Sequence, residues 1–278
     1  MKRNFISVAF AALVFLSCGV SMEEKAHDLV SQAGVAYEAK DYNKAKLLLD
    51  SVKTAYPKAF KARREALRLM RNVELGEQQR SVDFLDKELA LLTQRRDSML
   101  GGFVLEKDKR YQDVGNYIVP SQTIKNNIGN TYLRAQVDEN GNALLTSVYR
   151  GRALSHDCVR VSAGDVYAEC NTPFNKYSSK HLGVTTERVD FRYMQDGGLM
   201  QFIATADMPI TVELSGKTKH KYRLRSEDAR AIADVLELTT VLQAIDSLKS
   251  LRDEAGRHIE FLMRSKERFE NDSIGSAE

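Results

Sequence analysis

The sequence has no tryptophan, four prolines and three cysteines among 278 residues. So few prolines leave room for long uninterrupted helices, because each proline removes a helical hydrogen bond and clashes with the turn before it. An excess of either charge is also missing: 41 Lys and Arg stand against 38 Asp and Glu. A nucleic-acid binder needs a strong basic face, which this balance argues against. No GxxxxGK[ST] or GxGxxG occurs, so glycines such as Gly141 and Gly164 belong to turns and not to phosphate loops. His156, His181 and His220 show no close ligand spacing on one element, so no metal and no cofactor is expected. At 28% charged and 43% hydrophobic residues, the chain reads as an ordinary folded protein.

What is there begins at the N-terminus. Lys2 and Arg3 give a positive start, Val8 to Leu16 an apolar run, and Ser17 a small residue before Cys18. These are the parts of a secretory signal, and the run is too short to span a bilayer, which takes roughly 20 apolar residues. Phe15-Leu16-Ser17-Cys18 resembles the lipobox of bacterial lipoproteins. The resemblance implies a signal peptide over 1–17 and lipid on Cys18, which anchors stably once two or more acyl chains are attached. Gly19 and Val20 place no acid beside the cysteine, so the resemblance implies the outer membrane of a Gram-negative envelope, with the face undetermined. Loss of Lys2 and Arg3 takes the net charge from +3 to +1. No later segment is long and apolar enough to be a second anchor.

Residues 18–57 read as the anchor followed by a helical hairpin. Leu29, Ala33, Ala36 and Tyr37 recur at helical spacing, Lys40-Asp41-Tyr42 makes a tight connection, and Ala45, Leu48, Leu49 and Val52 mark a second face closed by Pro57. In order and spacing, Leu29, Ala33, Asp41, Tyr42, Ala45, Leu49, Val52 and Pro57 resemble one tetratricopeptide repeat. The resemblance implies a protein-contact surface, with Tyr37, Lys40 and Tyr42 as candidate partner-binding residues. A single repeat needs further cover, which Phe60, Ala62, Ala66 and Leu67 can supply.

Residues 58–100 read as one long helix. Val82, Leu85, Leu89, Leu92, Arg96 and Met99 keep a 3-4 spacing, as in a coiled-coil seam. Ser226 caps a second long helix over 226–270, with Glu227 and Asp228 in its first turn. Leu238, Val241, Ile245, Leu248, Arg252, Ala255, Ile259, Leu262, Lys266 and Phe269 repeat the spacing. The two stripes suit an antiparallel pair that places Met99 near Val235 and Val82 near Leu251. Packing of each stripe on the hairpin or on a second copy of the chain is the alternative, so a homo-oligomer stays open. A flexible tail is expected at 271–278.

Between the helices, residues 103–225 change texture. Strands are predicted at 116–123, 131–138, 143–149, 157–162, 166–170, 187–194, 200–206, 211–214 and 221–225. Asn140-Gly141 signals a two-residue hairpin turn, and Gly197-Gly198 marks another turn. The fold class is therefore α+β: a helical hairpin and an antiparallel coiled coil carrying an inserted all-β sandwich or barrel. Within it, a three-residue loop Ala163-Gly164-Asp165 would place Cys158 opposite Cys170. Opposed Cβ atoms lie ~4.5–5.5 Å apart, close enough for a disulfide after adjustment. Two free buried thiols are the alternative.

Chemistry is scarce in this sequence. Ser155-His156-Asp157-Cys158 cannot form a triad among themselves, because neighbours on a strand point to opposite faces. Glu187, Asp190 and Asp196 are acids near a turn with no evident reason to meet. Lys217, Lys219, Lys221 and Arg223 form the densest basic stretch, a candidate anion site, and Arg150 and Arg152 a lesser one. The expected function is a non-enzymatic envelope lipoprotein that acts as an interaction or scaffolding module for another envelope protein. The alternative is a lipoprotein that captures a glycan, peptide or lipid through the β-domain.

Overall fold

The computed structural model describes residues 21–275, with side chains described to residue 269. The expected signal peptide and Cys18 lie outside the described residues. The described residues divide into two compact units, 21–82 with 255–275, and 83–254.

The first unit opens with helix α1 (Met22–Glu38), started by a capping box in which Ser21 and Glu24 bond each other's backbone. Helix α2 (Tyr42–Ala55) begins at Asp41, whose side chain accepts from Lys44 N–H. Lys40, at φ +58, lets the chain reverse between them. Helix α3 (Phe60–Leu100) follows. Ala33, Ala36, Ala45, Leu49, Val52, Ala62 and Ala66 belong to one buried cluster, and small side chains let the helices approach closely. Of the expected covering residues, Ala62 and Ala66 are buried, whereas Phe60 and Leu67 are exposed. The start of α1 is tied to α3 by Glu23, which accepts from Ala62 N–H at 2.7 Å.

The second unit holds two antiparallel sheets. The six-stranded sheet runs β1 (Val104–Glu106), β2 (Asn116–Ile118), β3 (Tyr132–Asp138), β4 (Ala143–Gly151), β8 (Val184–Arg192), β7 (Asn175–His181). The four-stranded sheet runs β10 (Lys219–Arg223), β9 (Thr211–Ser215), β5 (Cys158–Ala163), β6 (Val166–Glu169). One core cluster draws on both sheets, with Leu133, Leu145, Val189 and Phe191 from the first and Val159, Val161, Val212 and Leu214 from the second.

Several expectations need correction. Of residues 200–206, expected as a strand, 200–205 lie in helix α4 (Leu199–Thr205) and Ala206 ends it. Asp196 accepts from Gly198 and Met200 N–H groups and so nucleates this turn of helix. The two hairpin loop lengths are exchanged. Asp138 N–H donates to Asn142 O just beyond the Val137–Ala143 pair, so Glu139-Asn140-Gly141 form a three-residue loop in which Gly141, at φ +82, takes the left-handed position. Ala163 pairs with Val166, so Gly164-Asp165 form the two-residue loop, with Gly164 at φ +59 as a type II′ turn requires. The 103–225 region is not closed on itself either. Helix α5 (Ser226–Gly275) contributes Ile232, Val235, Leu236, Leu238 and Leu242 to the same core as the sheets. The tail expected at 271–278 is helical as far as Gly275.

Within the second unit α3 and α5 are joined by two ion pairs, Arg95 to Glu237 at 2.7 Å and Asp86 to Arg252 at 3.1 Å. Along α3 the partner numbers fall as its own rise, the antiparallel sense. Among the described residues, no helix is long and apolar enough to cross a membrane.

Candidate functional site

The strongest polar constellation is one that the sequence kept apart. Ser147 lies on β4, His156 in the loop before β5, and Glu187 on β8, and β4 and β8 are hydrogen-bonded neighbours. Ser147 Oγ lies 3.1 Å from His156 Nε2, and His156 Nδ1 lies 2.8 Å from Glu187 Oε2. The order is nucleophile, base, acid, as in a hydrolase relay. The acceptor role of Glu187 assigns the proton to Nδ1, which leaves Nε2 to accept from the serine.

Burial decides what this line of groups does. Ser147 is 0% exposed, His156 2% and Glu187 3%. A cavity of about 210 Å³ touches His156 and Glu187, and Ser147 is not among the residues that line it. Glu187 is occupied in another way. Its Oε1 accepts from the N–H groups of Leu154 and Ser155, both at 2.7 Å, and its Oε2 from His156 N–H at 3.0 Å. Three successive amides thus wrap one carboxylate, an anion nest that Ser155 completes at φ +53. Burial alone would raise the Glu187 pKa, but the Ser155 amide, the His156 ring and the other amides bring it below the ordinary value. Burial holds the His156 pKa below its ordinary value despite the neighbouring carboxylate. The relay braces a loop; it offers no serine to a substrate.

The other acids have structural partners as well. Asp190 is buried and accepts from Thr146 Oγ1 at 2.6 Å and Arg188 Nε at 2.9 Å. Asp196 caps α4, as described. His220 meets Tyr149 edge to face, with ring centres 5.1 Å apart, and Tyr149 meets His156 in the same way at 6.1 Å. Among the described residues, no group of three His, Cys, Asp or Glu could hold a metal ion.

The candidate anion site on β10 carries its own counter-charge. Glu213 on β9 pairs with Lys219 at 2.7 Å and with Lys221 at 2.8 Å. Those two ammonium groups hold the Glu213 carboxyl down to about 2. Lys217 and Arg223 flank this pair, Lys217 in the turn and Arg223 at the strand's end. Cys158 and Cys170 are free and partly buried, with sulfurs 3.0 Å apart. Burial, followed by the Cys170 thiol, raises the Cys158 pKa. Val159, not Cys158, stands opposite Cys170, whose N–H donates to Val159 O at 2.9 Å, because the two-residue loop shifts the register by one. Of the candidate partner-binding residues, Tyr42 is buried under Arg80, whose guanidinium lies 4.8 Å from the ring centre. Tyr37 is half-buried and Lys40 exposed.

A larger polar cavity, about 630 Å³, opens on the six-stranded sheet. Asn116, Gln136, Asp138, Asn142, Arg192 and Gln195 line it. Asp138 is fixed by the amides of Asn140 and Asn142, and the Arg192 guanidinium stacks on Phe174 at 3.7 Å. Met194 beside it is 80% exposed at φ +67, a conformation that bulky residues rarely adopt. Sequence reasoning missed this cavity because these lining residues come from β2, β3, the loop after β3, β8 and the turn that follows it.

No known protein family, curated protein or solved structure matches the chain.

Proposed function

We propose that the protein is a non-enzymatic, lipid-anchored envelope protein that holds a partner protein through its helical hairpin. The observation that carries this reading is the closure of the Ser147–His156–Glu187 relay: among the described residues, this line of groups suited to covalent chemistry is spent on holding a loop. Recognition is what the exposed groups can offer. At the α1–α2 turn Lys40 is exposed while its backbone is fixed, its N–H donating to Tyr37 O at 2.8 Å and its carbonyl accepting from Arg80. A rigid turn loses little entropy when a partner docks. Support for the antiparallel coiled coil comes from the Arg95–Glu237 and Asp86–Arg252 pairs, and for a β-sandwich from the core drawn from both sheets. In-cell crosslinking with membrane fractionation is the test. The wild-type chain should fractionate with membranes and give one dominant heteromeric adduct. Tyr37→Ala with Lys40→Ala should remove the adduct, and Cys18→Ser the membrane fraction. An adduct unchanged by the double substitution sinks the docking surface.

The cavity beside Arg192 favours a second reading, capture of a polar ligand such as a glycan by the β-rich unit. Amide, carboxylate and guanidinium groups around a cavity of that size suit a hydroxyl-rich molecule. A glycan array probed with the full chain should give hits that Arg192→Ala abolishes; an array with no hits removes the reading.

A further inference from the structure

The helical unit contains an arginine cluster that neither reading uses. Arg68 and Arg71 lie one turn apart on α3. Arg257, Arg264 and Arg268 recur on α5 at steps of seven and four residues, and therefore share one face of that helix. Arg71, Arg257, Arg264 and Arg268 line a cavity of about 400 Å³. The Arg71 guanidinium stacks on the Phe269 ring at 4.1 Å, with Arg68 covering the same ring at 5.6 Å.

The charges in this cavity do not balance. Glu260 is the single carboxylate among the described lining residues, and it is engaged with Arg264 at 3.1 Å. The Nη1 atom of Arg71 is buried and has no hydrogen-bond partner. Guanidinium groups gathered in this way repel one another, and a buried N–H without an acceptor is rare in folded proteins. An anion resolves both conditions at once.

We infer that this cavity binds a phosphate ester. A tetrahedral phosphate presents several terminal oxygens to guanidinium forks arriving from two helices, where a carboxylate presents only two. The volume exceeds what a bare phosphate needs, and the rings of Phe261, 66% exposed, and Phe269 give an apolar wall for the organic part of the ester. Two sources share this chemistry, a soluble phosphate ester and a phospholipid headgroup. The second is within reach on the lipid-anchored reading. Glu23 near the start of α1 bonds Ala62 on α3, and Arg71 lies nine residues further along α3, about 14 Å. The binding chemistry itself does not depend on that reading.

The test is calorimetric titration of the purified full chain with inorganic phosphate, glycerol 3-phosphate and dihexanoyl phosphatidic acid. At least one of the two esters should bind, and more weakly as salt is raised. Arg71→Gln and Arg257→Gln should each weaken binding about tenfold or more. Without anion, Arg257→Gln should melt no lower than the wild type, since it removes repulsion; with anion, the wild type should gain more in Tm than either variant. Arg257 is exposed, so its variant stays informative even where Arg71→Gln disturbs the Phe269 stack. Phosphatidic acid binding tenfold tighter than glycerol 3-phosphate assigns the site to a lipid headgroup, and equal affinities assign it to a soluble ester. No binding of either ester at millimolar concentration, or both variants binding as the wild type does, overturns the inference.

Discussion

Replacing Glu187 with glutamine is expected to cost the β-rich unit about 3 kcal/mol or more, the scale for breaking a buried, charge-assisted network. The carboxylate accepts four hydrogen bonds, from the amides of Leu154, Ser155 and His156 and from the His156 ring. A glutamine side chain keeps one accepting oxygen. Its NH₂ group must then face N–H donors that were satisfied by the other. The loop 154–156 depends on Glu187, whose carboxylate holds the Ser155 amide while Ser155 takes its left-handed conformation. Denaturant unfolding of wild type and Glu187→Gln measures the difference, and a loss below about 1 kcal/mol would show that the nest is dispensable.

The same group sets how stability responds to acid. The folded pKa of Glu187 lies below its unfolded value, so its contribution is complete above the unfolded carboxylate value of about 4.3 and is lost as pH falls through the folded pKa. The folded pKa of His156 is also depressed. Below about pH 6.5 the unfolded chain takes up a proton that the buried imidazole refuses, and stability again falls with falling pH. Both groups act in one direction. The wild-type unfolding midpoint should therefore begin to drop just below pH 6.5 and drop faster below pH 4.3. Glu187→Gln should flatten the lower part of that curve.

What the sequence made legible was periodicity, and what it hid was polar. The helical hairpin showed through because Ala33, Ala36, Ala45 and Leu49 recur on one face of each helix. Strands such as β8 showed through because Val189 and Phe191 alternate with polar neighbours. Strand β7 did not, because Asn175–His181 is exposed at every position. It is an edge strand, and Lys176 and Lys180 there discourage pairing with another chain. Helix α4 was mistaken for a strand because seven residues carry too few turns to separate a period of two from 3.6. Its one usable signal was Asp196, two residues before Gly198, a start signal more telling than the alternation of Met200, Phe202 and Ala204. The relay was invisible for a different reason. Ser147, His156 and Glu187 are brought together by the pairing of β4 with β8, whose partners lie about forty positions apart in sequence. The cavity of arginines was hidden by reading α3 and α5 only for their apolar stripes.

Gly197→Ala should be the most disruptive small substitution in the β-rich unit, with an expected loss of about 4 kcal/mol. A Cβ at this position would lie 2.0 Å from the carbonyl oxygen of Glu169, and 2.9 Å from its carbon. Backbone at the end of β6 cannot swing aside as a side chain would. The residue also sits at φ +70, where a Cβ costs roughly 1–2 kcal/mol. Gly198 separates the two causes. It holds a similar φ of +79, yet an added Cβ there meets nothing within 4 Å. Gly198→Ala should therefore lose only the torsional part. The displaced backbone of Gly197→Ala must carry Cys170 with it, since Cys170 follows Glu169 directly and its sulfur touches Cys158. Thiol labelling of Cys158 and Cys170 should accelerate in Gly197→Ala and stay at the wild-type rate in Gly198→Ala. Equal stability losses in the two variants would mean that the close approach to Glu169 is not what demands a glycine.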